Sequence, residues 1–294
     1  MQLYLQVIIT GLLMGGVYAL ITVGLTMIHG VMKIVNFAQG DFLAIGMYLT
    51  FVMYRFMPEN SIPYWLIIPV GAAMYLLGCI IFQTTIKRVI GKGDSNYILL
   101  TIGLSIMIQN ILLLIFNADF RTLPVSDALR VGTFNLGNVR ILYPWVIAFA
   151  AATIFVIFVN WFLGKTDIGR AMRATSENIV VAESLGIRTG RIFITAFAMG
   201  TMFAGISGLL ITPVHTFSPV HGDLFAILAM SAMVLGGLGN IKGALVGGLI
   251  IGLVQSFTGT FLDTRLELVA VNLVLLLVLI FRPVGLFGKQ RRAA

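Results

Sequence analysis

Few side chains in this sequence could do chemistry, and five of them stand in one short stretch. IHGVMKIVNFAQGDF sets His29, Lys33, Asn36, Gln39 and Asp41 within otherwise apolar sequence. A carboxylate at membrane depth is costly unless paired, and Lys33 is the expected partner of Asp41. His29 could titrate near neutrality, but one histidine is a thin basis for a proton relay. Gly205-Ile206-Ser207-Gly208 places a serine inside an apolar run. A serine nucleophile needs a base in reach. The last histidine, His221, falls in the loop that follows, and no later span holds another, so Ser207 is expected to be a packing residue. His215 and His221 stand on either side of Pro219, an unsuitable metal spacing, and Cys79 sits alone in AAMYLLGCIIF, with neither a disulfide partner nor metal-ligand spacing. GxxxxGK[ST] and HExxH are both absent, so neither phosphate cradling by a P-loop nor zincin chemistry belongs to this chain. No metal and no cofactor of its own is expected.

The elements that must position these residues are membrane spans. Hydrophobic residues make up 59% of the 294 and charged residues 10%, against roughly 25% charged in soluble domains. A crossing helix needs about 20 apolar residues. Runs of that size occupy 5–28, 34–57, 62–85, 95–116, 142–164, 192–213, 224–258 and 266–282, and 224–258 is expected to be two segments meeting near Lys242. The predicted fold is all-α: one transmembrane domain over 1–294, a polytopic bundle of 8–9 spans with broken or re-entrant segments. Two glycine-bearing polar interruptions, 29–41 and GGLGNIKG, pair across the two halves. Such breaks survive at membrane depth only when buried or lining a wet cavity, and paired ones point to a translocation path. Short turns between adjacent spans are the alternative.

Net charge is +8, but the basic residues fall in loops between spans, a topology signal rather than a nucleic-acid stripe. Lys87, Arg88 and Lys92, the polar stretch 165–191, and Arg282, Lys289, Arg291 and Arg292 belong on the cytoplasmic side. Loops 117–141, with Arg121, Arg130 and Arg140, and 213–223 then lie outside, as does the N-terminus. Within 165–191, ENIVVAESL reads as a short amphipathic helix through Ile179, Val180 and Leu185, with Gly186 as a C-terminal cap of positive φ. Either it docks a partner or the stretch is a solvated connector. Small residues that let helices approach closely recur every four positions: Gly11, Gly15 and Ala19; Ala196, Gly200, Ala204 and Gly208; Gly239, Gly243 and Gly247. Gln109, Asn110, Asn160, Gln255 and Asn272 are read as interhelical hydrogen-bonding amides.

GGVYALITVGLTMIHGVMKIVNFAQGDFLAIGMY, GRAMRATSENIVVAESLGIRTGRI, VLGGLGNIKGALVGGLIIG and FRPVGLFG together resemble the permease subunits of bacterial ABC importers for branched-chain amino acids, in family order over nearly the whole chain. The resemblance implies a cytoplasmic-membrane permease that binds no ATP itself. Its expected partners are a second related permease, two cytoplasmic ATPase subunits that bind ATP, and a periplasmic or lipid-anchored solute-binding protein. It makes Glu177 through Ile187 a coupling helix for the ATPase, with Arg173, Glu177, Ala182, Glu183 and Gly186 as contact positions, although the Glu-Ala-Ala run of other importers is absent. Asn36, Gln39, Gly40 and Asp41 are expected near the translocation path. Family relatives that move urea, short amides or sugars leave the solute open, and a self-sufficient carrier or channel is the alternative outside the class.

Overall fold

The computed structural model describes residues 2–58, 61–123, 132–136 and 139–288. Eleven α-helices run through the described residues: α1 Gln2–Met32, α2 Gln39–Tyr54, α3 Ile67–Thr84, α4 Asp94–Phe116, α5 Tyr143–Lys165, α6 Asp167–Glu177, α7 Ile179–Ser184, α8 Thr189–Ile211, α9 Gly222–Gly236, α10 Ile241–Phe261 and α11 Glu267–Phe281. A hairpin of β1 (Thr133–Leu136) and β2 (Val139–Leu142) is the one sheet among them. Among the described residues eight helices are long and apolar enough to cross a bilayer, counting α9 and α11 with the 3-10 turns Pro219–His221 and Thr264–Leu266 that lead into them. The protein is an all-α, multi-pass membrane bundle.

α2 is not among the eight. The expected span 34–57 is broken: residues 33–36 are non-helical, and α2 starts only at Gln39. At 1.5 Å per residue its 16 residues cover roughly 24 Å, short of the ~30 Å hydrocarbon core. Its starting depth is set by α8, because Gln39 Nε2 donates to the carbonyl of Gly200 at 3.0 Å, and Gly200 is the middle residue of α8. From there α2 climbs beside the second half of α8, with Gly46 against Gly205 and the Leu43 carbonyl against Gly208.

The segment 213–223 differs from its expected outer position. Residues 212–221 turn back into the bundle. Phe217 is fully buried against Tyr48 and Phe51, and Gly222 abuts Gly40 and Asp41. Its apolar side chains and a backbone pairing of Phe217 with Arg121 let it enter, since polar backbone at depth must find partners within the protein. α9 therefore starts beside the start of α2 and runs the other way, ending at a turn where Gly239 packs on Gly30 near the end of α1. The expected division of 224–258 near Lys242 is present as this turn, residues 237–240.

The packing exchanges in pairs. α1 lies along α10 and α3 lies along α8; α9 packs on α1 as α2 packs on α8; α2 meets α3 and α4 as α9 meets α10 and α11. α1 and α8 cross at Gly24 and Gly200, where a Cβ on either would stand 2.8 Å from the other's carbonyl oxygen. The reciprocity of that contact marks an approximate two-fold axis in the membrane plane, relating α1–α4 to α8–α11 with inverted direction. Gly11 and Gly15 meet Leu253 and Leu249 of α10, and Gly243 and Gly247 meet Gly236 and Ala232 of α9. Gly239 is not part of a helical stripe, because it sits before the Asn240 N-cap with φ +79°.

Candidate functional site

Two short helices begin side by side in the middle of the bundle, each with the dipeptide Gly-Asp in its first turn. Gly40 and Gly222 make this possible: a Cβ on Gly40 would overlap the Gly222 carbonyl, so only hydrogen fits between them. Helix N-termini present unpaired N–H groups and partial positive charge, and Asp41 and Asp223 answer that charge in each first turn. Gln109 of α4 joins the two. Its side-chain amide donates to Asp41 Oδ1 at 3.0 Å and to Asp223 Oδ1 at 2.6 Å, which uses both of its N–H groups. Asp41 is 1% exposed and its Oδ2 has no hydrogen-bond partner among the described residues, whereas Asp223 is exposed.

The expected Lys33–Asp41 pair does not form. Among the described residues the one salt bridge is Arg170–Asp167. α1 ends before Lys33, whose φ of +58° turns the chain. Lys33 stays at the basic face, beside Arg173, Glu177 and Gly239, while residues 34–38 climb to mid-depth. Asn36 and Gln39 hold that climb in place. Asn36 Nδ2 donates to Gln39 Oε1 at 3.2 Å, its Oδ1 accepts from the Ala38 N–H, and both side chains are buried. They brace the break, and Asp41 alone of the four keeps an oxygen free.

Beside the junction a groove of about 720 Å³ opens between α4, α9 and α11. Phe37, Ile102, Ile106, Ile227, Met230 and Leu275 give it aliphatic and aromatic walls, and Ser105, Gln109 and Asp223 make its polar end. Gln109, read above as an interhelical hydrogen-bonding amide, does bond between helices, but neither it nor Asp223 was expected at the site. The signal was an internal repeat: Gly40-Asp41-Phe42-Leu43-Ala44-Ile45 against Gly222-Asp223-Leu224-Phe225-Ala226-Ile227. The interruption that pairs with 29–41 is thus 212–221 and not GGLGNIKG, whose Gly237 and Gly239 make the turn between α9 and α10 and whose Gly236 and Gly243 pack on each other beside it.

The second candidate region is at the basic face. α6 is amphipathic and packs on α5, α1 and α8; Thr166 caps it, accepting from the Gly169 N–H at 3.0 Å. α7 has six residues and survives by its caps. Asn178 Oδ1 accepts from the Val181 N–H. At the other end the N–H groups of Gly186 and Ile187 return to the carbonyls of Glu183 and Ala182, with Gly186 at φ +81°, the double closure of a Schellman motif. Ala182 is buried, and Glu183 Oε1 accepts from the Thr189 hydroxyl at 2.6 Å. Arg173, Glu177 and Gly186 are exposed. The apolar positions face outward: Val180 is 71% exposed and Leu185 74%.

The sequence model of the branched-chain amino acid transport system permease component matches residues 7–281. The chain belongs to that family. A high-affinity branched-chain amino acid transport system permease protein of Pseudomonas aeruginosa, BraD, is 32% identical over 298 residues, covering 97% of this permease and 96% of the relative. The Escherichia coli K12 permease protein LivH is 30% identical over 302 residues, with the same coverage of both chains. A probable permease protein LivH of Methanocaldococcus jannaschii is 25% identical over 284 residues, covering 92% of this permease and 88% of the relative. No solved structure matches the permease significantly. As the permease component of a transport system, it supplies the membrane passage and works beside other components.

Proposed function

We propose that this permease is the membrane-spanning half of an ATP-driven importer for branched-chain aliphatic amino acids in the bacterial cytoplasmic membrane. The side bearing Lys87, Arg88, Lys92, Arg170, Arg173, Arg188 and Arg191 is cytoplasmic by the bias of basic residues. A second related permease completes the passage, a periplasmic or lipid-anchored binding protein delivers the solute, and two ATPase subunits dock on the cytoplasmic side. ATP is bound by those subunits, and this chain needs no cofactor.

The observation that carries this reading is the outward-facing apolar surface of α7. Val180, Val181 and Leu185 are exposed on a capped helix that projects from the cytoplasmic face, where a self-sufficient carrier would have no use for them. A partner groove that buries them recovers roughly 25 cal/mol per Å² of apolar surface. α6 then couples α7 to α1 and α8, the helices that precede the two breaks, so that movement of the docked ATPase reaches the junction of α2 and α9.

Val180→Asp and Leu185→Asp together place charge on that surface without touching the bundle. The expected outcome is a permease with unchanged thermal stability that no longer copurifies with ATPase subunits. Leucine uptake by liposomes containing the permease alone would refute the importer reading.

A further inference from the structure

We propose that the junction of α2 and α9 binds the primary ammonium group of the transported solute, with Asp41 and Asp223 as its acceptors and the neighbouring groove as the seat of an aliphatic side chain. This rests on the amino-acid reading given above and names the group it recognises.

The junction is rich in acceptors and poor in donors. Two helix N-termini would ordinarily attract an anion, but each first turn already holds its own carboxylate. Asp41 Oδ1 and Asp223 Oδ1 meet at the Gln109 amide, which reaches one oxygen of each, and the Ser105 hydroxyl beside Asp41 is the other side-chain donor there. Among the described residues Asp41 Oδ2 is buried with no hydrogen-bond partner, and no lysine or arginine lies within salt-bridge distance of either aspartate. A buried carboxylate oxygen left unpaired in this way is costly, and a group with three N–H donors and one positive charge supplies what the pair lacks. Ser105 and Gln109 then face the solute's polar end, and Ile106, Ile227 and Met230 line the aliphatic seat. The Gly-Asp repeat brings one acceptor from each half, so the two half-helices that run to opposite faces hold the same ligand.

The test uses the assembled transporter with Cys79→Ala and Ile227→Cys, position 227 being 43% exposed in the groove one turn beyond Asp223. Maleimide labelling is followed with L-leucine, 3-methylbutan-1-amine or 4-methylpentanoate, alongside leucine uptake by the unsubstituted transporter. Leucine and the amine are expected to slow labelling about tenfold or more, the loss associated with a charge-assisted hydrogen bond, while the acid leaves it unchanged. Asp223→Asn should abolish the protection and Asp223→Glu restore part of it, with the labelling rate in the absence of ligand reporting on folding. Protection by the acid equal to that by the amine overturns the ammonium site. Leucine uptake with no protection by leucine or amine also overturns it and leaves the amino-acid reading standing. Absence of leucine uptake by the unsubstituted transporter overturns that reading, and this inference with it.

Discussion

Gly40 and Gly222 decide how closely the two half-helices approach. Any side chain on Gly40 would overlap the Gly222 carbonyl and the Ala226 backbone. Overpacking of a rigid backbone contact costs typically about 1–3 kcal/mol. Gly40→Ala should therefore lower the melting temperature in detergent and reduce transport. Gly103 provides the contrast, because it lies within α4 with nothing within 4 Å of its would-be Cβ. Gly103→Ala should raise stability slightly, by up to about 1 kcal/mol, from the lower chain entropy of alanine. Equal effects of the two substitutions would mean that the close approach of the half-helices has no energetic weight. The residues themselves were partly legible. Asn36, Gln39, Gly40 and Asp41 stood out because polar groups in an apolar run demand an explanation. Asp223 did not, because it follows two histidines and a proline and so looked like the end of an ordinary loop. The direction of the Asp41 side chain could not be read at all: Lys33 is eight residues away in sequence, and only the turn at Lys33 separates them in depth.

At the scale of elements, α7 is too short to persist on its own, since helices below about 12 residues are marginal in water. Its existence depends on Asn178 at one end and Gly186 at the other. Asn178→Ala removes the N-terminal cap at a cost of about 1 kcal/mol, and Gly186→Ala forces a side chain into the left-handed region at about 1–2 kcal/mol. Both should speed hydrogen exchange at the amides of 181–187 and weaken ATPase association, while exchange in α1 and α8 stays slow. Faster exchange throughout the bundle would show that α7 is part of the core rather than an appended docking element. Gly186 and the apolar spacing predict the place and C-terminal cap of α7 but start it at Glu177, whereas Glu177 ends α6 and Asn178 caps α7; the same spacing does not tell which way an apolar face points, and here it points away from the bundle. α6 was not expected: Gly169, Thr175 and Ser176 weaken its pattern, and its helicity comes from the Thr166 cap and from packing on α1, α5 and α8. The apolar run 34–57 reads as a full span because it includes Ile34, Phe37 and Ala38, of which Ile34 and Ala38 are buried and none belongs to a helix.

At the scale of the whole molecule, the inverted relation of α1–α4 to α8–α11 has a consequence that a bundle of simple hairpins lacks. α2 and α9 both begin at mid-depth with Gly-Asp, yet they must end on opposite faces. Hydropathy alone could not separate these arrangements, because apolar runs report length and not direction, and a re-entrant segment changes the parity of every later span. Arg55 follows α2 and Leu238 follows α9, and both are solvent-accessible. In a Cys79→Ala background, Arg55→Cys should react with a membrane-impermeant maleimide from outside intact cells. Leu238→Cys should react only in inside-out vesicles. Ser218→Cys, in the segment that turns back into the bundle, should resist reagent from both sides, since Ser218 is 3% exposed and hydrogen-bonded to His221. If Arg55→Cys and Leu238→Cys labelled from the same side, the two halves would be parallel. The junction of α2 and α9 could not then form, because two helices starting together at mid-depth and running to the same face would leave no opposed pair of N-termini to hold Asp41, Asp223 and Gln109 together.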